Sequence, residues 1–109
     1  MVDITSKSET LRTAIAMAVV KLKPNSIRLV KTNSVPKGNV LEIARAATYM
    51  GVKKTADCLP MCHPLPIEWV HVDYHFSKTE IEIKVTVKTI YKTGCEMEAL
   101  YGASCCALC

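Results

Sequence analysis

The chain has 109 residues, half of them apolar, and its 14 Lys and Arg against 10 Asp and Glu give a net charge of +4. This length fits one domain over residues 1–109, and the apolar content excludes a disordered or low-complexity chain. The apolar run from Ala14 to Val20 is far shorter than the roughly 20 residues that span a bilayer. Because Asp3 and Glu9 precede that run, a secretory signal is not expected either.

The six cysteines are expected to be reduced, since the chain has no secretory signal and enough apolar residues to build a core without disulfides. We therefore expect a cytoplasmic protein. The lysines are spread from Lys7 to Lys92 rather than gathered in runs. This distribution argues against a nucleic-acid partner and suits a small anionic ligand.

The first 22 residues fit two structures. A helical stripe and an extended strand over residues 10–20 match the apolar pattern almost equally well. A short helix is predicted next, with Pro24 in its first turn and an end near Asn33. Asn39 is a plausible N-cap for a longer helix over residues 39–54. The following segment, residues 55–66, contains three prolines and is predicted to be a loop.

Two strands follow, because apolar and polar residues alternate from Val70 to Phe76 and from Ile81 to Val87. A shared apolar face requires a register in which Val72 lies opposite Val85. The same register places Asp73 opposite Lys84 and His75 opposite Glu82, which brings unlike charges together on the outer face.

The last segment begins with Thr93-Gly94-Cys95-Glu96, which has the spacing of a capping box in which Glu96 bonds back to the helix start. The helix after it is expected to bury a stripe of core residues: Met97, Leu100, Ala103, Ser104, Ala107 and Leu108. The order of elements predicts an α+β fold with the helices packed on one face of an antiparallel sheet.

Three candidate functional residues lie in separate segments. Lys37 is in a turn that leads into a helix N-terminus, where anions bind favourably; a solvated turn lysine is the simpler alternative. His63 lies in a proline-rich loop and has a side chain suited to proton transfer near neutral pH; an ordinary surface histidine is equally consistent. Glu98 is the better acid–base candidate of the two glutamates in the last helix, unless it is only a solvated first-turn carboxylate.

A zinc site is the competing interpretation of the cysteines. Cys58, Cys62 and His63 in the loop, with Cys105, Cys106 and Cys109 in the last helix, supply enough soft ligands for one ion. The helix cysteines lie in an apolar segment, however, where cysteine behaves as a small hydrophobe. We therefore predict no metal site.

Five segments together resemble one known family: Met1–Ile4, Thr10-Leu11-Arg12, PKGNVLEIAR over 36–45, LPMCHPLP over 59–66 and KTGCEMEAL over 92–100. The chain resembles the cyclic pyranopterin monophosphate synthases of molybdenum cofactor biosynthesis along essentially its whole length. The LPMCHPLP and TGCEMEAL motifs are the most specific parts of the match.

The resemblance implies a ferredoxin-like fold and a homohexamer, a trimer of dimers, with active sites between subunits. It implies a lyase that converts the 3′,8-cyclised dihydro-GTP intermediate to cyclic pyranopterin monophosphate and releases diphosphate. It assigns catalysis to Lys37, His63 and Glu98. The substrate-binding residues that it implies are Met61, Cys62, His63, Met97, Glu98 and Arg12. No cofactor is expected, although Mg²⁺ can accompany the triphosphate, and neither nucleic acid nor a membrane is an expected partner.

Two differences from the family are visible. Asn39 stands where the family usually has aspartate, and asparagine can cap the helix equally well. Family members also continue the last helix past the position of Cys109, and a catalytic aspartate and a nearby lysine lie in that continuation. The chain is therefore expected to lack the C-terminal part of the family domain. A non-catalytic paralogue that binds a nucleotide or pterin in the same pocket is the alternative function.

Overall fold

Three strands and three helices account for most of the chain, and a computed structural model describes all 109 residues. In chain order the elements are β1 (Thr10–Lys21), α1 (Pro24–Lys31), α2 (Val40–Cys58), β2 (Trp69–Phe76), β3 (Glu80–Tyr91) and α3 (Glu96–Leu108). No helix combines the length and apolar character needed to cross a membrane.

The strands form one antiparallel sheet in the order β1-β3-β2. The predicted register is confirmed, because Val72 pairs with Val85, Asp73 with Lys84 and His75 with Glu82. Asp73 bonds His71 on its own strand, with 2.9 Å between Oδ1 and Nε2, instead of an ion pair with Lys84. The alternation of apolar residues therefore determines the register, and the outer-face charges only accompany it.

Strand β1 resolves the ambiguity of the first 22 residues in favour of the extended structure. Small side chains at Ala14, Ala16 and Ala18 face the helices, while Ile15 and Met17 are more than half exposed on the other face. Because both faces are apolar, the period of two that identifies a strand is hidden in the sequence.

Helix α2 ends four residues later than predicted. The Asn39 cap is confirmed, since its Oδ1 accepts from the backbone N–H of Glu42 at 3.2 Å. The prediction of a loop from residue 55 is wrong, because α2 continues to Cys58. Thr55 is buried and its hydroxyl donates to the carbonyl of Gly51, which keeps this β-branched residue helical. The helix ends just before Pro60, the first residue that cannot continue it.

Helix α3 differs most from its prediction. The prediction of a capping box is wrong, because the helix begins at Glu96 and its N-cap residue, Cys95, makes no side-chain capping bond. The predicted stripe is wrong too, since Met97, Leu100 and Leu108 are exposed. The buried residues of α3 are Glu98, Ala99, Gly102, Ala103 and Cys106. A helix that is apolar on nearly every side gives no periodicity that identifies the buried face.

Helices α2 and α3 pack against each other and on one face of the sheet. This arrangement confirms the α+β prediction and is consistent with a ferredoxin-like fold. The core lies between α2, α3 and the inward side chains of β3, of which Val85 and Val87 are completely buried. Tyr74 of β2 ties the layers together, because its hydroxyl donates to the carbonyl of Leu41 in α2 at 2.9 Å.

Candidate active site

A pocket of about 270 Å³ lies where the N-terminal segment, the loop after α2 and the first turn of α3 meet. Five of the predicted substrate-binding residues line it together: Met61, Cys62, His63, Met97 and Glu98. The remaining lining is Val2, Ile4, Lys7, Leu65, Thr93, Gly94 and Glu96. The fold therefore brings together His63 and Met97, which are 34 residues apart in the sequence.

The loop that carries His63 is tied down at both ends. Leu59 donates to the carbonyl of Thr55 at 2.8 Å, and Cys62 donates to Leu59 at 3.0 Å, which makes a tight turn directly after α2. At the far end, the buried hydroxyl of Thr89 donates to the carbonyl of Pro66. The prolines restrict the backbone of this loop, and the bond from Thr89 anchors it to β3. The loop therefore holds the partly exposed His63 ring at the pocket wall.

Glu98 is only 4 % exposed although its side chain is a carboxyl group. Burial raises the pKa of Glu98 above its ordinary value, and the neighbouring charge of Glu96 raises it further. The interpretation of Glu98 as a solvated first-turn carboxylate is therefore wrong. A raised pKa favours the protonated form of this carboxyl group, and that form can donate a proton.

Two thiols lie near this carboxyl group. Burial raises the pKa of Cys62, and the charge of Glu98 adds to the effect. Burial likewise raises the pKa of Cys95, whose Sγ donates to the carbonyl of Val87 at 3.4 Å. Both cysteines therefore remain thiols at neutral pH, which suits packing and weak hydrogen bonding rather than nucleophilic attack.

The N-terminal segment closes the side of the pocket next to His63. Asp3 accepts hydrogen bonds from the backbone N–H and the hydroxyl of Thr5 at 2.9 and 2.6 Å, and the backbone N–H of Lys7 donates to the carbonyl of Ile4 at 3.1 Å. The two hydrogen bonds from Thr5 lower the pKa of Asp3, and the nearby His63 contributes to the shift. A carboxylate therefore stands beside the histidine on the side facing solvent.

Lys37 and Arg12 lie outside this pocket. Lys37 precedes α2 and its Nζ donates to the carbonyl of Cys109 at 2.7 Å, whereas His63 follows the other end of α2. A helix of 19 residues is roughly 28 Å long, so Lys37 and His63 of one chain cannot contact the same small molecule. Arg12 is closer to the pocket, since its guanidinium donates to the carbonyl of Lys92 at 3.5 Å.

The arrangement of the metal-ligating side chains bears on the zinc interpretation. No three His, Cys, Asp or Glu side chains lie close enough together to hold a metal ion. Cys62 and His63 follow α2, while Cys105 and Cys109 lie at the far end of α3 beside Met50 of α2. The absence of zinc stays a prediction, and metal analysis of the reduced protein tests it.

The sequence pattern did not indicate two charged residues that line the pocket, Lys7 and Glu96. Glu96 was assigned to a capping box that does not form, although the glycine at position 94 indicates a later helix start. Its carboxylate is exposed and belongs to the pocket wall. Lys7 lies in a segment without periodicity, and nothing in the sequence pattern places it near His63.

The fold and the pocket define a small α+β protein in which a histidine and a buried carboxyl group line one pocket. The sequence profile of the MoaC family matches residues 1–109. The chain is 47 % identical over 110 residues to the cyclic pyranopterin monophosphate synthase of Natranaerobius thermophilus. The matched region covers 99 % of this chain and 69 % of that protein. The chain belongs to the MoaC family.

Two further relatives have the same name. The probable cyclic pyranopterin monophosphate synthase of Pyrococcus furiosus is 45 % identical over 104 residues, covering 95 % of this chain and 67 % of that protein. The cyclic pyranopterin monophosphate synthase of Aquifex aeolicus is 46 % identical over 99 residues, covering 91 % of this chain and 39 % of that protein. The chain thus spans about two thirds of two of these relatives and less of the third.

Proposed function

We propose that this chain is a cyclic pyranopterin monophosphate synthase, a lyase that acts in the cytoplasm on the 3′,8-cyclised dihydro-GTP intermediate and releases diphosphate. The observation that carries the proposal is the convergence of Met61, Cys62, His63, Met97 and Glu98 on one pocket in a member of the MoaC family. The substrate is a small, nucleotide-derived molecule, and the pocket has room for its ring system rather than for a polymer.

The chemistry follows from the two titratable groups of the pocket. Conversion of a purine-derived ring to a pterin breaks and makes bonds to hydrogen, so it requires groups that both donate and accept protons. Glu98, with its raised pKa, is suited to donate a proton, and His63 is suited to accept one and return it. Met61 and Met97 add flexible thioether side chains that adapt to a flat ring.

The triphosphate requires cations as the diphosphate leaves, because charge accumulates on the departing oxygens. Lys7 is the only Lys or Arg in the lining of this chain's pocket, and Arg12 lies next to that lining. Mg²⁺ bound to the phosphates would add to this neutralisation, and no resident cofactor is required.

Lys37 enters the site from a second copy of the chain. It lies beyond the opposite end of α2 from His63, so one chain cannot bring both residues to one substrate. A homohexamer built as a trimer of dimers, with sites between subunits, resolves this separation. Exposed apolar residues on the helix-free face of β1 support self-association: Leu11, Ile15, Met17 and Val19.

The direct test is diphosphate release from the cyclised substrate by the product of the full natural gene, which includes any residues after Cys109. His63→Ala is expected to lower kcat by about 10²–10⁴-fold, because a proton-transfer group is lost. His75→Ala is the matched control, since His75 is exposed on the outer face of β2. Tight binding of the substrate without turnover by the unmodified protein would instead support the non-catalytic paralogue.

Sharing of the site between subunits is tested by mixing two inactive variants. Co-expressed Lys37→Ala and His63→Ala chains are expected to restore about a quarter of the parental activity, because a site assembled from one chain of each kind retains both side chains. Activity of the mixture no higher than that of either variant alone would place both residues in one chain's site.

A further inference from the structure

A second concave region lies at the end of the sheet away from His63. It is a hollow of about 610 Å³ between the last turn of α1 and the turn that joins β2 to β3. Arg28 and Lys31 project from α1, Lys78 from the turn, and Phe76 and Ser77 form the opposite wall. We call this region the cationic hollow. Its volume is in the range of small-molecule sites.

The positive charges of the cationic hollow have no acidic partner. None of its lining residues is Asp or Glu, and none of its three cations forms a salt bridge. Arg28 donates to the side chain of Asn25, and the Nζ of Lys31 lies 5.6 Å from the ring centroid of Phe76. The nearest carboxylate along the chain, Glu80, is outside the lining and lies opposite Lys21 in the sheet.

The surrounding sequence strengthens the positive field. Residues 10–41 contain six Lys and Arg and no Asp or Glu. Two cations in the last turn of α1 would also stabilise the negative end of the helix dipole, but this does not explain Lys78, which comes from a different element. The hydroxyl oxygen of Ser77 accepts from the backbone of Thr79 and Glu80, at 3.4 and 3.1 Å, so its proton remains available for a ligand.

We propose that the cationic hollow binds a small polyphosphate anion, of diphosphate size or larger, at a site separate from the pocket of His63. A guanidinium fork and two ammonium groups that surround a single concavity match the several oxygens of such an anion. A nucleic acid requires a track of cations along its backbone, whereas these three cations line a single hollow. The proposal does not depend on the proposed enzyme activity.

The test measures binding of sodium diphosphate by titration calorimetry at constant ionic strength, and locates it by hydrogen–deuterium exchange. Diphosphate is expected to protect residues 28–34 and 75–80 in the unmodified protein. In the variant Arg28→Gln/Lys31→Gln/Lys78→Gln, we expect the affinity of this site to fall at least about tenfold, because three charge-assisted contacts are lost. Protection around residues 61–65 and 93–98, which reports the other pocket, should remain.

The matched control is Lys53→Gln/Lys54→Gln/Lys84→Gln, which loses the same charge from three exposed lysines outside the lining of the hollow. Its diphosphate affinity is expected to change by no more than about twofold, since solvent and salt screen these more distant charges. An equal loss of affinity in both triple variants would overturn the proposal in favour of diffuse attraction. Absence of protection at residues 28–34 and 75–80, or protection by a single-stranded oligonucleotide but not by diphosphate, would also overturn it.

Discussion

Glu98 is a residue whose burial conflicts with its charge. Because its pKa in the folded protein is raised above the ordinary value of 4.5, the folded state holds a proton that the unfolded chain releases. The contribution of Glu98 to the free energy of unfolding is therefore fully present below about pH 4.5. It decreases as the pH rises through the pKa of Glu98 in the folded protein. Above that range, an ionised Glu98 opposes folding.

Replacement of Glu98 by Gln is accordingly expected to raise the Tm at pH 8 and to leave it little changed at pH 4, while it abolishes proton donation in the site. Thermal unfolding of both proteins from pH 4 to pH 8 measures this difference. Glu96→Gln is the control, because Glu96 is exposed on the same helical turn and should show no comparable pH-dependent gain. Equal gains in the two variants would contradict the burial argument.

The sequence predicted five members of the pocket by resemblance, but it did not predict the environment of Glu98. A glutamate in the first turn of a helix ordinarily faces water, and only the packing of α3 against the sheet buries this one. The residue pattern also gave no reason to separate Lys37 from His63. Their separation follows from the length of α2, whose C-terminal end lies four residues beyond the predicted one because Thr55 and Asp57 resemble loop residues.

At the scale of elements, α2 and α3 approach closely through two glycines. A Cβ at Gly102 would lie 2.6 Å from Cγ2 of Val52, and a Cβ at Gly51 would lie 2.7 Å from Sγ of Cys105. Val52 is almost fully buried and cannot move, whereas Cys105 is partly exposed and can change its rotamer. The two glycines are therefore expected to differ in their tolerance of a methyl group.

Gly102→Ala is expected to destabilise the protein by about 1–3 kcal/mol through overpacking. Gly51→Ala should cost less, because the gain in helix propensity of about 1 kcal/mol offsets a smaller clash. Urea unfolding at equilibrium measures both values. The penalty of Gly102→Ala should shrink in a Val52→Ala background if Val52 is the obstacle, and an unchanged penalty would assign it to another contact.

The N-terminus of α2 offers a second test at this scale. Asn39→Ala removes the side-chain acceptor for the N–H of Glu42 and is expected to cost about 1 kcal/mol. Asn39→Asp, which restores the residue usual in the family, retains the acceptor and should be close to neutral in urea unfolding. A similar loss in both variants would show that the capping bond contributes little.

These elements show which local rules could be read from the sequence. The Asn39 cap, the start of α1 and the β2–β3 register each depend on a few neighbouring residues, and all three were predicted. The sequence could not predict the buried face of α3 or the conformation of β1, because both segments are apolar on all sides. Their orientation is decided by residues such as Ala16 and Gly102, whose small size matters only once the layers are packed.

The whole molecule is elongated, with extents of 53 × 21 × 19 Å. The length of α2 separates the pocket of His63 from the segment that carries Lys37. The cationic hollow lies at the opposite end of β2 from the loop of His63. Assembly could be expected only from the family resemblance, since no periodicity in one chain specifies a partner. The exposed apolar row on β1 is the structural feature that accords with it.

The separation of Lys37 from His63 by the full length of α2 has a genetic consequence. In the proposed pair of subunits, each chain contributes to two sites, so a chain that lacks both side chains inactivates its own site and that of its neighbour. Such an allele would be dominant-negative: activity should fall with the square of the fraction of intact chains rather than in proportion to it. Titration of the intact gene with a Lys37→Ala/His63→Ala allele measures this curve, and a linear decline would mean that every subunit works alone.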